Sequence, residues 1–572
     1  MKQHYIFLFL SFLLLHSLSG KAQSSNPLSV FEGERILSVR FSYDNLPSDT
    51  LRQIKLMQQV ENTFALFPYT HFNQISADYY LSRVRNLPFV REASLNISLL
   101  GEGGIGLLVS VALMPAEPSK PTTRNVFRTP RDFPVVYSDS RTFLTFRTAV
   151  SEMAYSNADA WFAQPGPLLT GNPLVNGPAG KGYTGWLEGY GMGGIYGIVR
   201  LTPWQNLHFY GGAGYLLSFS AGRELFTDRS RFHGSVEDAF AGLVGGKQYA
   251  PDHDYAYNIL YGRKQFILGN GWLIVNTGMN GEERAALQLN PRVAARRLFQ
   301  LGVRWDKLTL QAFQLRPDEL KLLDSHTVLN GLNAEYDNNH RMQIGSSVLF
   351  SPRSGVKYYL PDGTVYSRRG LWVYNVRLFG NPPAGSPGFF YKTEAGYQTN
   401  KHFLMRAYAW YLHLGWNFAR HYGNPALSYR FAYFSGDKPS TRAYERWDPL
   451  YTGGNGEQWV QGSNMYKIVQ NSNEMTHLLQ LAFYPLSQIQ TITQLWYFIA
   501  PRKNNLGGNP GLSTLSSHTY GSEINFTVKY FPNQRWYFHL NAALTFPGNA
   551  IRKNTASAKD WFCLMAFVRF SL

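Results

Sequence analysis

The sequence predicts a mainly β fold, a large antiparallel transmembrane β-barrel of about 18 strands preceded by a small α+β module of order β-α-α-β-β. Three observations lead there. Alternation of period two recurs from about Arg141 onward in stretches of about nine residues or more, the length needed to cross a bilayer at a tilt, whereas soluble strands average about five or six. Aromatic residues make up 15% of the chain beside 52 Gly, yet mean hydropathy is only −0.25. That balance suits strands that alternate lipid-facing and polar side chains, with aromatic girdles at the interfaces. Finally, no stretch beyond the N-terminal segment reaches transmembrane-helix length without charges, and hydrocarbon tolerates only helices or closed sheets.

The elements follow in order. Met1-Lys2, an apolar run from Ile6 to Leu15 and the small residues around Ser19-Gly20-Lys21-Ala22 read as a secretory signal over residues 1–22. The run is too short for a spanning helix, which needs about 20 apolar residues. The mature chain is therefore expected outside the cytoplasm. Cys563 is the sole cysteine, so no intrachain disulfide is expected and stability must come from burial.

Residues 34–113 read as a compact module. Arg35 to Phe41 alternates as a strand. Leu51, Ile54, Met57, Val60 and Phe64 recur at helical spacing, and Ala77, Leu81 and Val84 mark a second helix. Phe89–Leu99 and Gly106–Leu113 form a hairpin about the Gly101-Glu102-Gly103-Gly104 turn. The run Ala77 to Ile97 resembles the helix, step and following strand of POTRA domains, the periplasmic repeats attached to several outer-membrane barrels. Residues 114–136 follow as a linker, with prolines at 115, 118, 121, 130 and 134 that favour extended chain.

Residues 137–572 are the expected barrel. Phe562, Leu564, Ala566, Val568, Phe570 and Leu572 alternate with Cys563, Met565, Phe567, Arg569 and Ser571. Trp536 to Phe546 and Ile524 to Tyr530 alternate in the same way. At roughly 24 residues per strand and connection, a region of about 430 residues supplies about 18 strands and should enclose an aqueous lumen. Asp437 to Gln470 reads as a long extracellular loop, and Phe531 to Gln534 as a periplasmic turn. The glycines of Gly269-Asn270-Gly271 and of the Gly453-Gly454-Asn455-Gly456 run read as turn residues, without the strand-to-helix context of a phosphate loop. Asp252-His253-Asp254 offers metal-ligand types without a sensibly spaced fourth ligand, and no Gly-x-Ser-x-Gly elbow appears. Neither an enzyme nor a metal or cofactor is expected.

Several segments go beyond generic barrel pattern. Phe389–Gln398 is followed by Ala407–Phe418, by Asn424–Asp437 with its Ser435-Gly436-Asp437 strand end, and by Tyr444–Tyr451 with Trp447-Asp448-Pro449-Leu450. In order and spacing these resemble the alginate-export family of outer-membrane barrels. Tyr261–Ile274 and Arg297–Trp305 are similar to strands that precede them in the family. The resemblance implies an 18-stranded, porin-like barrel that lets an anionic polysaccharide leave the periplasm. It marks Asp437, Trp447 and Asp448 as the strand-end and loop motif.

The formal charge of +17 fits either attraction to lipopolysaccharide phosphates or a lumen that conducts anions. Nucleic acid is not an expected partner of an exported chain. If Phe299, Leu301, Val303 and Trp305 face lipid on a strand from Phe299 to Leu310, Arg304 points inward with Asp306. The same reasoning puts Asn375 and Arg377 inside, and Arg430 inside, while Arg263 joins them by resemblance, with Glu394 or Asp437 as its partner. Arg-carboxylate pairs of this kind also hold any barrel in register, so selectivity and structure remain open for each. The expected setting is the outer membrane, with residues 34–113 in the periplasm and open to a partner there. A polypeptide-secreting barrel, or one whose N-terminal domain docks a partner, is the alternative. The Val-Arg-Gly-aromatic loop of secreting barrels is not matched by Val303-Arg304-Trp305 or Val568-Arg569-Phe570.

Overall fold

In the computed structural model the alternating region closes on itself. The structure describes residues 31–571 apart from 32–33, 35, 48–49, 67–71, 100–103, 115–134, 140, 162–182, 203–206, 223–228, 251–252, 339–340, 361, 383–385, 420, 454–458, 487, 507–512, 533–534 and 554–558. The signal read over 1–22 lies outside these residues, as does all of the Pro-rich linker but its ends.

The N-terminal unit runs β1 (Ile36–Asp44), α1 (Thr50–Thr63), α2 (Gln74–Arg85), β2 (Val90–Leu99), β3 (Ile105–Leu113). Its sheet order is β1-β3-β2, with β1 parallel and β2 antiparallel to β3. Helix α2 starts where the Asn73 side chain accepts the Ser76 N–H at 3.0 Å, satisfying one of the donors a helix start leaves unpaired. Its buried Ala77, Leu81 and Val84 pack with Val60 of α1 and with Phe64 just after it, over Leu95, Ile97, Val109 and Val111 of the sheet.

The barrel has eighteen strands. Beginning beside the short β4 (Val135–Ser138), they are β5 (Thr142–Ala158), β6 (Tyr183–Thr202), β7 (Leu207–Gly222), β8 (Arg231–Ala250), β9 (His253–Lys264), β10 (Ala295–Trp305), β11 (Leu308–Arg316), β12 (Val328–Asn338) and β13 (Met342–Arg353). After the hairpin β14 (Lys357–Tyr359) and β15 (Val365–Ser367) come β16 (Leu371–Gly380), β17 (Gly388–Asn400), β18 (Ala407–Asn417), β19 (Ala426–Phe434), β20 (Glu474–Leu486) and β21 (Ile489–Ile499). A second hairpin, β22 (Asn504–Asn505) and β23 (Ser513–Thr514), precedes β24 (Thr519–Tyr530) and β25 (Trp536–Pro547), and the short α3 (Asn549–Arg552) precedes β26 (Trp561–Ser571). Closure is antiparallel, β26 on β5, from Phe562 opposite Ala158 to Ser571 opposite Ala149.

The two faces of each strand sort as alternation requires. Phe299, Leu301, Val303 and Trp305 are exposed on the outside of β10, as are Tyr374 and Val376 on β16 and Leu427 and Tyr429 on β19. Without water in the bilayer core, an edge-free wall is the arrangement that pairs every strand N–H and C=O. One expectation is corrected. Phe299 to Leu310 is two strands, because β10 ends at Trp305 and Asp306 turns the chain with a positive φ of 50°, a conformation Asp tolerates in tight hairpin turns.

The connections are unequal. At the end where β5 begins and β26 finishes they are short, as at 306–307, 487–488 and 531–535. At the other end they are long, notably 265–294, 354–370 and 435–473.

Candidate functional site

The long connections do not stay outside, and the open lumen expected of a barrel this size is instead crossed by two of them. Lumen-facing carboxylates of the wall take hold of their backbones. Glu188 on β6 accepts the Gln288 and Leu289 N–H groups at 2.9 and 3.0 Å. Glu237 on β8 accepts those of Val293 and Ala294, both at 2.8 Å. Glu523 on β24 accepts Asn464 and Met465 N–H at 3.1 and 2.9 Å, the Thr545 hydroxyl at 2.9 Å, and the Ser463 N–H. Each carboxylate is at most 2% exposed. A loop backbone inside a protein must find partners for its polar groups, and a carboxylate, with about four acceptor positions, serves several donors at once. The expectation that Asp437–Gln470 is an extracellular loop is corrected by its described residues, of which Trp447, Trp459, Ile468 and Val469 are all buried.

The two segments meet. Ile274 and Tyr451 form a parallel bridge, with the Val275 N–H donating to the Tyr451 carbonyl at 3.0 Å and the Tyr451 N–H to Leu273 at 3.1 Å. The turn that delivers Trp272 uses Gly269 and Gly271, with φ of 56° and 85°, where a side chain would be strained. Asn270 in that turn donates to the Tyr411 hydroxyl at 2.8 Å. Trp272 then stacks on Trp447, ring centroids 5.6 Å apart and planes at 25°, with Trp459 edge-on at 6.3 Å. The wall makes room at Gly396 of β17, where a Cβ would stand 2.6 Å from Trp447 and 3.2 Å from Trp272. Gly396→Val should thus force the indole pair off the wall. The expected cost is about 1–3 kcal/mol, typical of an overpacked interior, seen as a lower midpoint of barrel unfolding in detergent.

The motif residues of the second segment are its anchors. Asp448 receives Arg368 in a two-point ion pair, at 2.7 and 2.8 Å, and also the Tyr358 hydroxyl and the Leu450 N–H. Its backbone is clamped by Gln398 of β17, which accepts the Asp448 N–H at 2.9 Å and donates to its carbonyl at 2.7 Å. Asp437 accepts the Glu445 N–H at 2.9 Å, tying its own segment, and the Asn504 side chain at 3.2 Å.

All four predicted arginines lie on the inner side, in unlike settings. Arg377 is only 3% exposed, and its two terminal nitrogens are engaged, donating to Ser347 at 2.9 Å, Asn375 at 3.2 Å and Asn333, and pairing with Glu335 at 2.9 Å. That is a structural position. Arg304 pairs with Asp254, not Asp306, whose carboxylate instead accepts the Asp254 N–H at 2.9 Å. Arg263 pairs neither with Glu394 nor with Asp437. Its partners are Asp318 at 2.6 Å and Glu237 at 3.6 Å, since β9 leads straight into the inward segment beside the β11–β12 connection. Arg284 and Arg296 converge on the same Asp318 at 3.0 and 3.3 Å. Burial pushes the Asp318 carboxyl up, but these guanidinium groups together outweigh it and hold it below the usual carboxylate range. Arg430 lies over the rings of Trp459 and Trp496, at 5.0 and 5.3 Å, and donates to Gln461 at 3.2 Å.

Sequence reasoning missed Arg284, Arg292 and Arg296 and the three wall glutamates. Arg284, Arg292, Arg296 and Arg297 crowd one short stretch between Asn280 and Leu298, a density that a solvent-exposed loop does not need.

Closed, lipid-faced strands around a charged lumen define an outer-membrane channel barrel, a class built for solute passage. The chain belongs to the alginate export family, whose model matches residues 240–563. Among solved structures it is similar to the outer membrane protein OpdK of Pseudomonas aeruginosa, at 12% identity and a TM-score of 0.45, over 75% of this chain and 98% of that one. It is likewise similar to OprD of Pseudomonas aeruginosa, at 12% identity and a TM-score of 0.44, over 77% of this chain and 95% of that one. No curated protein matches it.

Proposed function

We propose that the barrel passes an anionic polysaccharide from the periplasm to the exterior, with residues 34–113 acting as a POTRA-like periplasmic domain. The observation that carries this reading is the set of inward-facing guanidinium groups, Arg263, Arg304 and Arg430 among them, in a barrel of the alginate export family. A polyanion needs repeated weak positive contacts along its path, enough to enter and too few to be trapped. Arg304 and Arg430 suit that role, because each remains partly exposed inside the wall while Arg377 is buried. Outer-membrane barrels carry short turns on the periplasmic side and longer loops outside, which favours placing the N-terminal unit below the membrane.

Planar-bilayer recordings test the reading. The native barrel should prefer anions, and Arg304→Gln with Arg430→Gln should lower the anion-to-cation permeability ratio about two- to fivefold, because the lumen potential scales with its fixed charge. Charged oligouronates should block the current at concentrations where neutral glucan oligomers do not. Equal block by both would overturn the polysaccharide assignment.

A further inference from the structure

The N-terminal unit's hydrophobic core runs into the barrel mouth. Phe143 of β5 and Ile198 of β6 are buried in the same apolar cluster as Phe72, Tyr79 and Leu81, and Tyr210 of β7 and Val244 of β8 pack against it. The strand positions one step away, such as Leu201, Phe209 and the Phe146 side of β5, carry the exposed lipid-side residues, so the barrel side chains that touch the unit are on the lumen side. From α2, the Tyr79 ring lies 6.2 Å from Phe143 and 5.9 Å from His208, and its hydroxyl is 3.4 Å from the His208 Nε2. Beside it Asp78, 1% exposed, faces the Arg147 guanidinium at 3.6 Å. Further round the rim, Phe31 stacks at 6.3 Å on Phe531, in the turn between β24 and β25. The contacts therefore fall on the four consecutive strands β5, β6, β7 and β8 and on the β24–β25 turn.

A domain held only by a linker has no reason to bury an aspartate against a lumen arginine. A charge taken out of water is tolerated only where a partner receives it. We infer that the N-terminal unit is a built-in seal on the short-turn mouth: α2 is the stopper, Asp78–Arg147 the latch, and passage requires the unit to swing away. The apolar contacts set the resting position. The ion pair makes it switchable, since it breaks cleanly once the helix lifts and both groups regain water. Movement of a whole domain against its neighbour is an ordinary mode of domain motion.

The test uses the full chain in planar bilayers, reading small-ion conductance, so that it is independent of which polymer passes. Asp78→Arg sets two guanidinium groups against each other and should raise the open fraction about tenfold or more, the shift expected from reversing one half of a buried pair. The double variant Asp78→Arg/Arg147→Asp rebuilds the pair in reverse and should close the channel again. Wild-type conductance in Asp78→Arg, or a double variant that stays open, overturns the latch. A second measurement covers a single variant that fails to assemble. Tyr79→Cys with His208→Cys, joined by a cleavable bismaleimide while the native Cys563 stays buried, should hold the conductance below wild type until the linker is cut. Unchanged conductance after complete cross-linking would show that the unit does not seal the mouth.

Discussion

Glu523→Ala is expected to raise single-channel conductance several-fold. In the native barrel this one carboxylate takes the N–H groups of Ser463, Asn464 and Met465 and the Thr545 hydroxyl. Deleting it leaves those donors inside the wall without an acceptor. At about 1–3 kcal/mol for each buried group left unmade, the total exceeds what most single contacts contribute, and the segment 435–473 regains its partners by moving toward water. Glu523→Gln keeps one acceptor oxygen, so it should open the channel less. Single-channel recording together with limited proteolysis of the freed segment checks this. A Glu523→Ala barrel with native conductance and native protease resistance would mean that the carboxylate does not hold the constriction.

The second large effect is expected at Asp448. Its pair with Arg368 is buried on both sides, with side chains 3% and 7% exposed. Removing one partner of such a pair strands the other charge, at a cost of about 3–5 kcal/mol. Arg368→Leu should therefore destabilise the barrel in denaturant by about that amount, and Arg368→Leu with Asp448→Leu by clearly less, because no lone charge remains. Acid gives an independent check. Burial pushes the Asp448 carboxyl up, but the Arg368 guanidinium and the hydrogen bonds around it more than compensate and hold it below the usual range. A carboxyl depressed on folding contributes stability that is present above its unfolded value, about 3.9, and lost as pH falls through the lower folded value. The inward segment should accordingly stay locked at pH 5 and loosen only in stronger acid, and Asp448→Asn should abolish that acid step. Conductance recorded from pH 7 down to the acid limit of the bilayer reads it directly, and a transition at pH 5 to 6 would contradict this origin.

How much was legible in the chain follows from how local each signal is. Side-chain alternation is decided by neighbouring residues, so the lipid face of β10, with Phe299, Leu301, Val303 and Trp305, and the inward Arg304 and Arg377 were readable without any partner strand. The helix α2 was readable too, from the spacing of Ala77, Leu81 and Val84. Trp447 and Asp448 stood out as a motif, but their role did not, because it depends on Trp272 and Arg368 in other connections. The partner of Arg263 is not legible for the same reason: Asp318 lies in a connection whose path the local sequence does not specify.

By its own pattern the sequence determined a closed barrel with a greasy exterior and charged interior, because period-two alternation and the rule that hydrocarbon must see no unpaired backbone act residue by residue. Only the tertiary structure decided that the lumen is constricted and where its mouth is covered. Those outcomes rest on Glu188 meeting Leu289, Glu523 meeting Met465 and Asp78 meeting Arg147. A polar loop looks the same in sequence whether water or a distant carboxylate satisfies its backbone, and the closure of the wall is what brings that carboxylate within reach.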